Sequence, residues 1–515
     1  MTRAEFGFAR NQNKATTTAS NTTIRWAIFI GIALLALVVR LPQLGERPMH
    51  TDESINAYIT GELLAGETFH YDPQDRHGPA LFVVAEPLAK LLGAKNFSEL
   101  TEAQLRLSTV LTGAATILLF GAGVEMFGFI PCLVAALLFA FAPLPVYYNR
   151  YFIHESLFVA TTLGLILSGW RAQKKSSIFF ESLTGLCAAL MLASKETAAI
   201  HFFALGSAAL FSFFWYQPGK SGLIRLRISF TTLAVFVTAT VLLFTWGGKN
   251  WTALAGLFHA IPNFAARAGG QGHEKPFWYY ARLLAAGWSG AAMLAVAAVG
   301  FFRAIRHPAS GARFAMAIYA LLVFAIYSAI PYKTPWLALN FWLPLAILAG
   351  IAIEWLRFAF PKFSARAVIL ILITGIGCLM AHDTIKWVFI IPADENNPFA
   401  YAHTGEDLLR LPARLEELAR QNKIANPRIA VVAADAWPLP WYLRTFPQVG
   451  FWQPGQETGS ADFFITTTDV SGKMTEQLKT FRPEFFGARP NVLLILWSPA
   501  ATNSPAEATL PTSQP

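Results

Sequence analysis

Charge is scarce in this chain. Only 14% of its 515 residues are Asp, Glu, Lys or Arg, where soluble domains carry nearer a quarter. Cysteine is almost missing: Cys132, Cys187 and Cys378 are the three, and all fall inside apolar runs. That excludes a disulfide-built scaffold, even for segments outside the cell. No His/Cys spacing of a metal site occurs, no Gly-rich dinucleotide fingerprint, and no internal repeat. The first apolar run lacks a small-residue cleavage site, so it reads as an uncleaved span and not as a signal peptide. The net charge of +9 does not imply nucleic acid. Basic residues are expected on the cytoplasmic loops of membrane proteins.

What the chain does have is long apolar runs: 54% of residues are hydrophobic. The reading is a polytopic α-helical membrane protein. We place about eleven spans of roughly 17–22 residues. They lie near 24–40, 105–123, 129–147, 153–170, 178–194, 197–216, 226–246, 283–302, 313–331, 335–355 and 367–390. With residues 1–23 as a cytoplasmic tail, the inner segments carry Arg3, Arg10, Lys14 and Arg25, then Arg171, Lys174 and Lys175. Lys220, Arg225 and Arg227 follow, then Arg303, Arg306 and Arg313, then Arg357, Lys362 and Arg366. This basic-inside pattern expects a plasma (inner) membrane protein with its C-terminal part outside. The run "PALFVVAEPLAKLLG" is too short to span and reads as an amphipathic helix on the outer surface.

Past residue 390 the composition changes. "RIAVVAA", "VGFW", "DFFITTT" and "NVLLILW" read as short strands, with an amphipathic helix in "LPARLEELARQNK" before them. The expected parts are a transmembrane domain over 24–390, a small extracytoplasmic α/β domain over 391–498 and a Pro/Ser/Thr-rich disordered tail over 499–515.

This topology sorts the remaining charges onto one side. The first outer loop, 41–104, holds Asp52, Glu53 and Arg76. "YYNRYFIHES" holds Arg150, His154 and Glu155, "SKET" holds Lys195 and Glu196, and "PYKTPW" holds Lys333. Each has a plainer reading. The acid pair suits the first turn of a helix, where the dipole favours negative charge; Lys195-Glu196 suits a snorkelling pair; the aromatics suit an interfacial belt. Their convergence at one level suits an anionic ligand with acid–base chemistry beside it.

The order of "DESINAYITGELLAGETFHYDPQDRHGPAL", "TEAQLRLSTVL", "FAPLPVYYNRYFIHESLFV" and "MLASKETA" resembles the GT-C polytopic glycosyltransferases. Within them it is similar to the protein O-mannosyltransferase, aminoarabinose transferase and rhizobial core-sugar transferase group. "PYKTPWL", "NPFAYAHTGED" and "WPLPWYLRT" resemble a subfamily named for an association with flippase activity. The chain departs from the pattern at Arg76-His77-Gly78-Pro79, where relatives often carry a Lys or a second Pro. The resemblance implies a polyprenyl-phosphate sugar donor and an acceptor hydroxyl on a lipid, glycan or protein, with inversion. By that resemblance Asp52 is the base and Glu53 orients it or the acceptor. Arg76, Arg150, Lys195 and Lys333 are candidates for the donor phosphate. Glu155, with His154 and Glu196, orients Arg150 or holds a divalent cation, Mg or Mn; no cofactor is fixed by the sequence. Tyr401, His403, Trp437 and Trp441 are candidates for acceptor contact, with ordinary packing as their plainer reading. Two other classes stay open: a lipid-linked-sugar flippase and an accessory subunit of envelope glycan assembly.

Overall fold

A computed structural model describes residues 3–74, 76–215, 228–270 and 272–500. Lys220, Arg225, Arg227 and the tail beyond residue 500 lie outside the described residues. The chain divides into two compact units.

The first unit comprises Met1–Glu46, Ile59–Pro392 and Asn396–Tyr401, and is helical. Its helices are α1 (Arg3–Arg40), the second half of α2 (Thr51–Leu64), α3 (Ala80–Leu91), α4 (Glu102–Ala122), α5 (Val124–Phe127), α6 (Phe129–Phe141) and α7 (Pro143–Asn149). Then come α8 (Glu155–Lys175), α9 (Ile178–Leu192), α10 (Ala198–Trp215), α11 (Phe230–Phe244), α12 (Ala253–Ala268), α13 (Tyr279–Leu284), α14 (Gly287–Arg306), α15 (Gly311–Ala329), α16 (Ala338–Ala359) and α17 (Phe363–Ile385).

Each expected span coincides with a helix or a bent helix pair. Among the described residues, seven helices are long and apolar enough to cross a membrane, or eight if α6 and α7 form one bent span. The count of eleven is not confirmed, and four runs account for the difference. α9 and α11, 15 residues each, reach only about 22 Å, short of a hydrocarbon core of about 30 Å. α8 carries Glu155 at one end and Arg171, Lys174 and Lys175 at the other, which lowers its apolarity. The run 129–147 is not one straight helix. Ala142 is extended before Pro143, and α7 turns 60° from α6, because a proline disfavours helical backbone in the residue before it.

α16 is the core of this unit, with 89% of its span window buried. Close approach at small residues permits this. A Cβ on Gly300 of α14 would sit 1.8 Å from the Leu348 carbonyl, and one on Gly350 would sit 2.5 Å from Cα of Pro131 on α6.

The second unit comprises Arg47–Tyr58, Ala393–Glu395 and the chain from Ala402 onward. It holds α18 (Leu411–Gln421), which buries Leu411, Leu415, Leu418 and Ala419 along one face. Its five-stranded sheet has the order β2-β1-β3-β5-β4. The strands are β1 (Arg428–Val432), β2 (Gln448–Trp452), β3 (Phe463–Thr467), β4 (Phe481–Arg489) and β5 (Val492–Pro499). β1 pairs in parallel with β2 and β3, while β5 runs antiparallel to β3 and β4. The four expected strands are present. β4 was not expected: "FRPEFFGAR" carries three charged residues and has Pro483 in its interior, a composition tolerated at a sheet edge, which is where β4 lies.

Candidate active site

The first turn of α2 lies in the second unit, and it treats its two acids differently. Glu53 is fully buried. Its Oε2 accepts from the His50 backbone N–H at 3.2 Å, reaching back as in a capping box. Its Oε1 lies 3.6 Å from the Arg47 guanidinium. Asp52 is half-buried. Its backbone N–H donates to Nδ1 of His50 at 3.1 Å, but among the described residues its carboxylate makes no hydrogen bond or ion pair. One acid therefore builds the helix start, and its neighbour is held there with both oxygens available.

The same unit supplies a polar shell for this turn. Met49 donates its N–H to the Tyr442 hydroxyl at 2.8 Å and accepts from Thr404 Oγ1 at 2.6 Å. Arg489 donates to Thr51 Oγ1 at 3.3 Å and to Asp435 at 2.8 Å. His403 is buried, with its ring 5.7 Å from that of His50. Burial, then the charges of Arg47 and His50, push its pKa well below the ordinary histidine value, so it is neutral at pH 7. Trp437 is half-buried beside Tyr58, ring centroids 6.0 Å apart. Trp441 is fully buried under the Arg444 guanidinium, 3.7 Å from the ring centre. That geometry makes Trp441 a packing residue, and the expected ring-stacking role is withdrawn for it. Arg47, His50, Asp435, Tyr442 and Arg489 were not singled out from sequence. No local pattern ties Arg489 to a turn more than four hundred residues earlier.

In the membrane unit, the first loop, the α7–α8 junction and the α9–α10 junction meet. Lys195 and Glu155 form a buried ion pair. Glu155 thus faces Lys195, and the expected pairing with Arg150 is corrected. Glu196 accepts from Tyr71 at 3.0 Å and lies 3.0 Å from Nδ1 of His77. Burial alone would raise the Glu196 carboxyl, but His77 and Lys195 bring it down to about 2. His154 is buried, its Nε2 3.2 Å from the Gly78 carbonyl. Gly78 is required here, since a Cβ would lie 2.2 Å from the Ala193 carbonyl oxygen. Arg76 pairs instead with Glu62, at 3.8 Å.

A second group gathers distant stretches of the same unit. Lys333, buried, donates to the carbonyls of Lys275 and Ile330. His273 Nδ1 lies 2.9 Å from the Tyr401 hydroxyl, and the Lys275 ammonium sits 5.3 Å from the Tyr401 ring centre. Tyr401 therefore belongs to the membrane unit, and His403, Trp437 and Trp441 belong to the second.

Arg150 is buried and holds the end of α1. It donates to the carbonyls of Arg40 at 2.9 Å, Pro42 at 2.6 Å and Gln43 at 3.0 Å. Pro42 and Phe389 also line an apolar groove of about 610 Å³ between α1, α6, α14, α16 and α17, with Val38, Leu137, Met293 and Ile376 among its walls. The guanidinium carbon of Arg150 lies 4.7 Å from the centre of the Phe389 ring. A cation thus packs against two residues that line an otherwise apolar groove. Hydropathy did not single the groove out, because its lining residues read as ordinary membrane-helix residues.

Among the described residues, no group of three or more His, Cys, Asp or Glu side chains has the geometry to hold a metal ion. Glu155 is neutralised by Lys195, and the residues do not fit the divalent cation considered above.

No protein-family model matches the chain, and no curated protein matches it by sequence. Solved structures do match. ArnT from Cupriavidus metallidurans, bound to undecaprenyl phosphate, superposes with a TM-score of 0.66 at 16% identity, over 93% of this chain and 99% of that one. AglB, the archaeal oligosaccharyltransferase from Archaeoglobus fulgidus in complex with an inhibitory peptide and a dolichol-phosphate, gives 0.52 at 12% identity, over 93% and 75%. The Archaeoglobus fulgidus oligosaccharyltransferase with Zn and sulfate gives 0.51 at 13%, over 92% and 75%. At these identities the likeness shows the fold alone, that of integral-membrane helical proteins such as ArnT and AglB.

Proposed function

We propose that this chain is a membrane glycosyltransferase that moves a sugar from a polyprenyl-phosphate donor to an acceptor hydroxyl. The observation that carries the reading is the apolar groove with Arg150 packed against two of its lining residues, Pro42 and Phe389. An isoprenoid tail is apolar and its head is an anionic phosphate, so it asks for this combination. The fold shared with ArnT bound to undecaprenyl phosphate supports the same choice.

In this reading Asp52 is the general base. It takes the acceptor hydroxyl proton as the oxygen attacks the anomeric carbon. The bond from that carbon to the phosphate oxygen breaks, the polyprenyl phosphate leaves with its electron pair, and configuration inverts. Arg150 stabilises the charge gathering on the departing phosphate. Glu53, Arg47 and His50 position the base and do not touch the acceptor. Arg150 is the preferred phosphate residue among the four because its guanidinium contacts Pro42 and Phe389, which line the groove. The basic-inside pattern supports transfer on the outer face, with the second unit outside.

The test uses the full chain in vesicles with a polyprenyl-phosphate sugar carrying a radiolabel in the sugar. Wild type transfers label to an acceptor extract, and Asp52→Asn does not, although it inserts and folds. Label that crosses the bilayer without transfer would replace this reading with a flippase, and near-normal transfer by Asp52→Asn would remove Asp52 from the mechanism.

A further inference from the structure

A second pocket, of about 340 Å³, lies at the other end of α14–α16 from the Lys333 segment. It is lined by Arg303 and His307 at the end of α14, Arg313 at the start of α15, and Glu354, Trp355 and Phe358 near the end of α16. These three helices are candidate spans (Gly287–Arg306, Gly311–Ala329 and Pro335–Ala359). Their ends mark the boundary between hydrocarbon and water. We propose that this pocket binds the phosphodiester head of an anionic membrane lipid.

Charge is the first argument. Glu354 is the sole acid from Phe301 to Arg366, while Arg303, Arg306, His307, Arg313, Arg357, Lys362 and Arg366 gather at this end. Glu354 is consumed by its ion pair with Arg313, whose Nε and second nitrogen also donate to the Phe127 carbonyl at 2.9 and 2.6 Å. Arg313 is therefore a fixed wall. Arg303 is different. It is half-buried and donates to the His307 carbonyl at 2.6 Å, but among the described residues it makes no ion pair. Its fork-shaped donor set matches phosphate oxygens.

Shape and surroundings are the second argument. Trp355 is 38% exposed and Phe358 73% exposed. Aromatic rings beside cations at a span end suit a site where a headgroup enters from water and acyl chains remain in lipid. A soluble phosphate would use the cations and leave the aromatic rim unused. The pocket is separate from the residues assigned to transfer, so it acts as an anchor or as a lipid-dependent stabiliser of the helix ends.

The experiment is native mass spectrometry of the full chain released from nanodiscs. The lipid is phosphatidylcholine with or without phosphatidylglycerol. Wild type is expected to retain phosphatidylglycerol over phosphatidylcholine, and the double variant Arg303→Gln/His307→Gln to lose about tenfold in that retention. Arg303→Lys should restore part of it. Equal retention by wild type and the double variant would overturn the proposal. So would complete displacement of the lipid by inorganic phosphate, which would make this a soluble-phosphate site. Sugar transfer by the double variant checks independence, since loss of lipid retention with transfer intact supports a site apart from the chemistry.

Discussion

Two charged regions invite comparison: the junction around Lys195 in the membrane unit, and the first turn of α2 in the second unit. At the junction each acid has a base. Glu155 has Lys195, and Glu196 has His77 and the Tyr71 hydroxyl. In the α2 turn the acids are split, with Glu53 tied to Arg47 and to the helix start and Asp52 left with no partner among the described residues. Buried ions must be compensated in a low-dielectric interior, so mutual pairing marks a group as part of the framework. A carboxylate held in place by its neighbour's bonds, with none of its own, is equipped to accept a proton. Proximity of charged residues in the sequence did not distinguish these two cases, but the bonding does.

The sharpest way to break the comparison is at the two acids. Asp52→Asn is expected to lower transfer by about 10²–10⁴-fold with little change in thermal unfolding. Glu53→Gln should do the reverse in kind, lowering the unfolding temperature by loosening Arg47 and the helix start. If both variants lose stability equally and transfer together, the division of roles fails. Next in size is the framework pair. Lys195→Met leaves Glu155 buried without its partner and should cost about 3–5 kcal/mol. Lys195→Met/Glu155→Leu should recover much of that loss in thermal unfolding in detergent, where no recovery would mean the pair does more than neutralise itself. A bulky residue in the groove comes third. Ile376→Trp is expected to raise KM for a long-tailed donor about tenfold and to leave a short-chain isoprenoid donor little affected, measured by initial rates.

The smallest effect concerns pH in the second unit. His403 is neutral in the fold because burial lowers its pKa from the ordinary 6.5. Below pH 6.5 the unfolded chain takes up a proton that the folded one refuses, so stability falls on acidification, by at most about 1.4 kcal/mol per pH unit. Above 6.5 this group contributes no slope. Hydrogen exchange of β1 and β3 in the full chain should accelerate between pH 6.5 and 5, and His403→Leu should flatten that response.

The membrane helices were legible because a span needs only a local property, about twenty apolar residues in a row. α18 was legible for the same kind of reason, its apolar residues recurring with the helical period. α7 and β4 were not. The bend at Ala142–Pro143 breaks a run that hydropathy reads as continuous. β4 places Pro483 within a strand, which only a sheet edge tolerates. At the site, the helix junctions announced themselves by charges that a membrane helix avoids. Their partners did not, since an ion pair between Glu155 and Lys195 depends on how α8 meets the α9–α10 turn.

By itself, then, the sequence determined the class of molecule: apolar runs with basic residues at alternate ends, a change of composition near residue 391, and acids and bases at the opposite ends. These are properties of contiguous segments, and solvent chemistry acts on them directly. Only the tertiary structure decided which carboxylates are bonded into the framework and which has no bond of its own among the described residues. It placed 47–58 in the same unit as the C-terminal sheet, turned Glu155 toward Lys195 and packed Arg150 against Phe389, which lines the groove. Each of these is a contact between segments far apart in the chain, and its energy exists only once packing has brought them within a few ångströms.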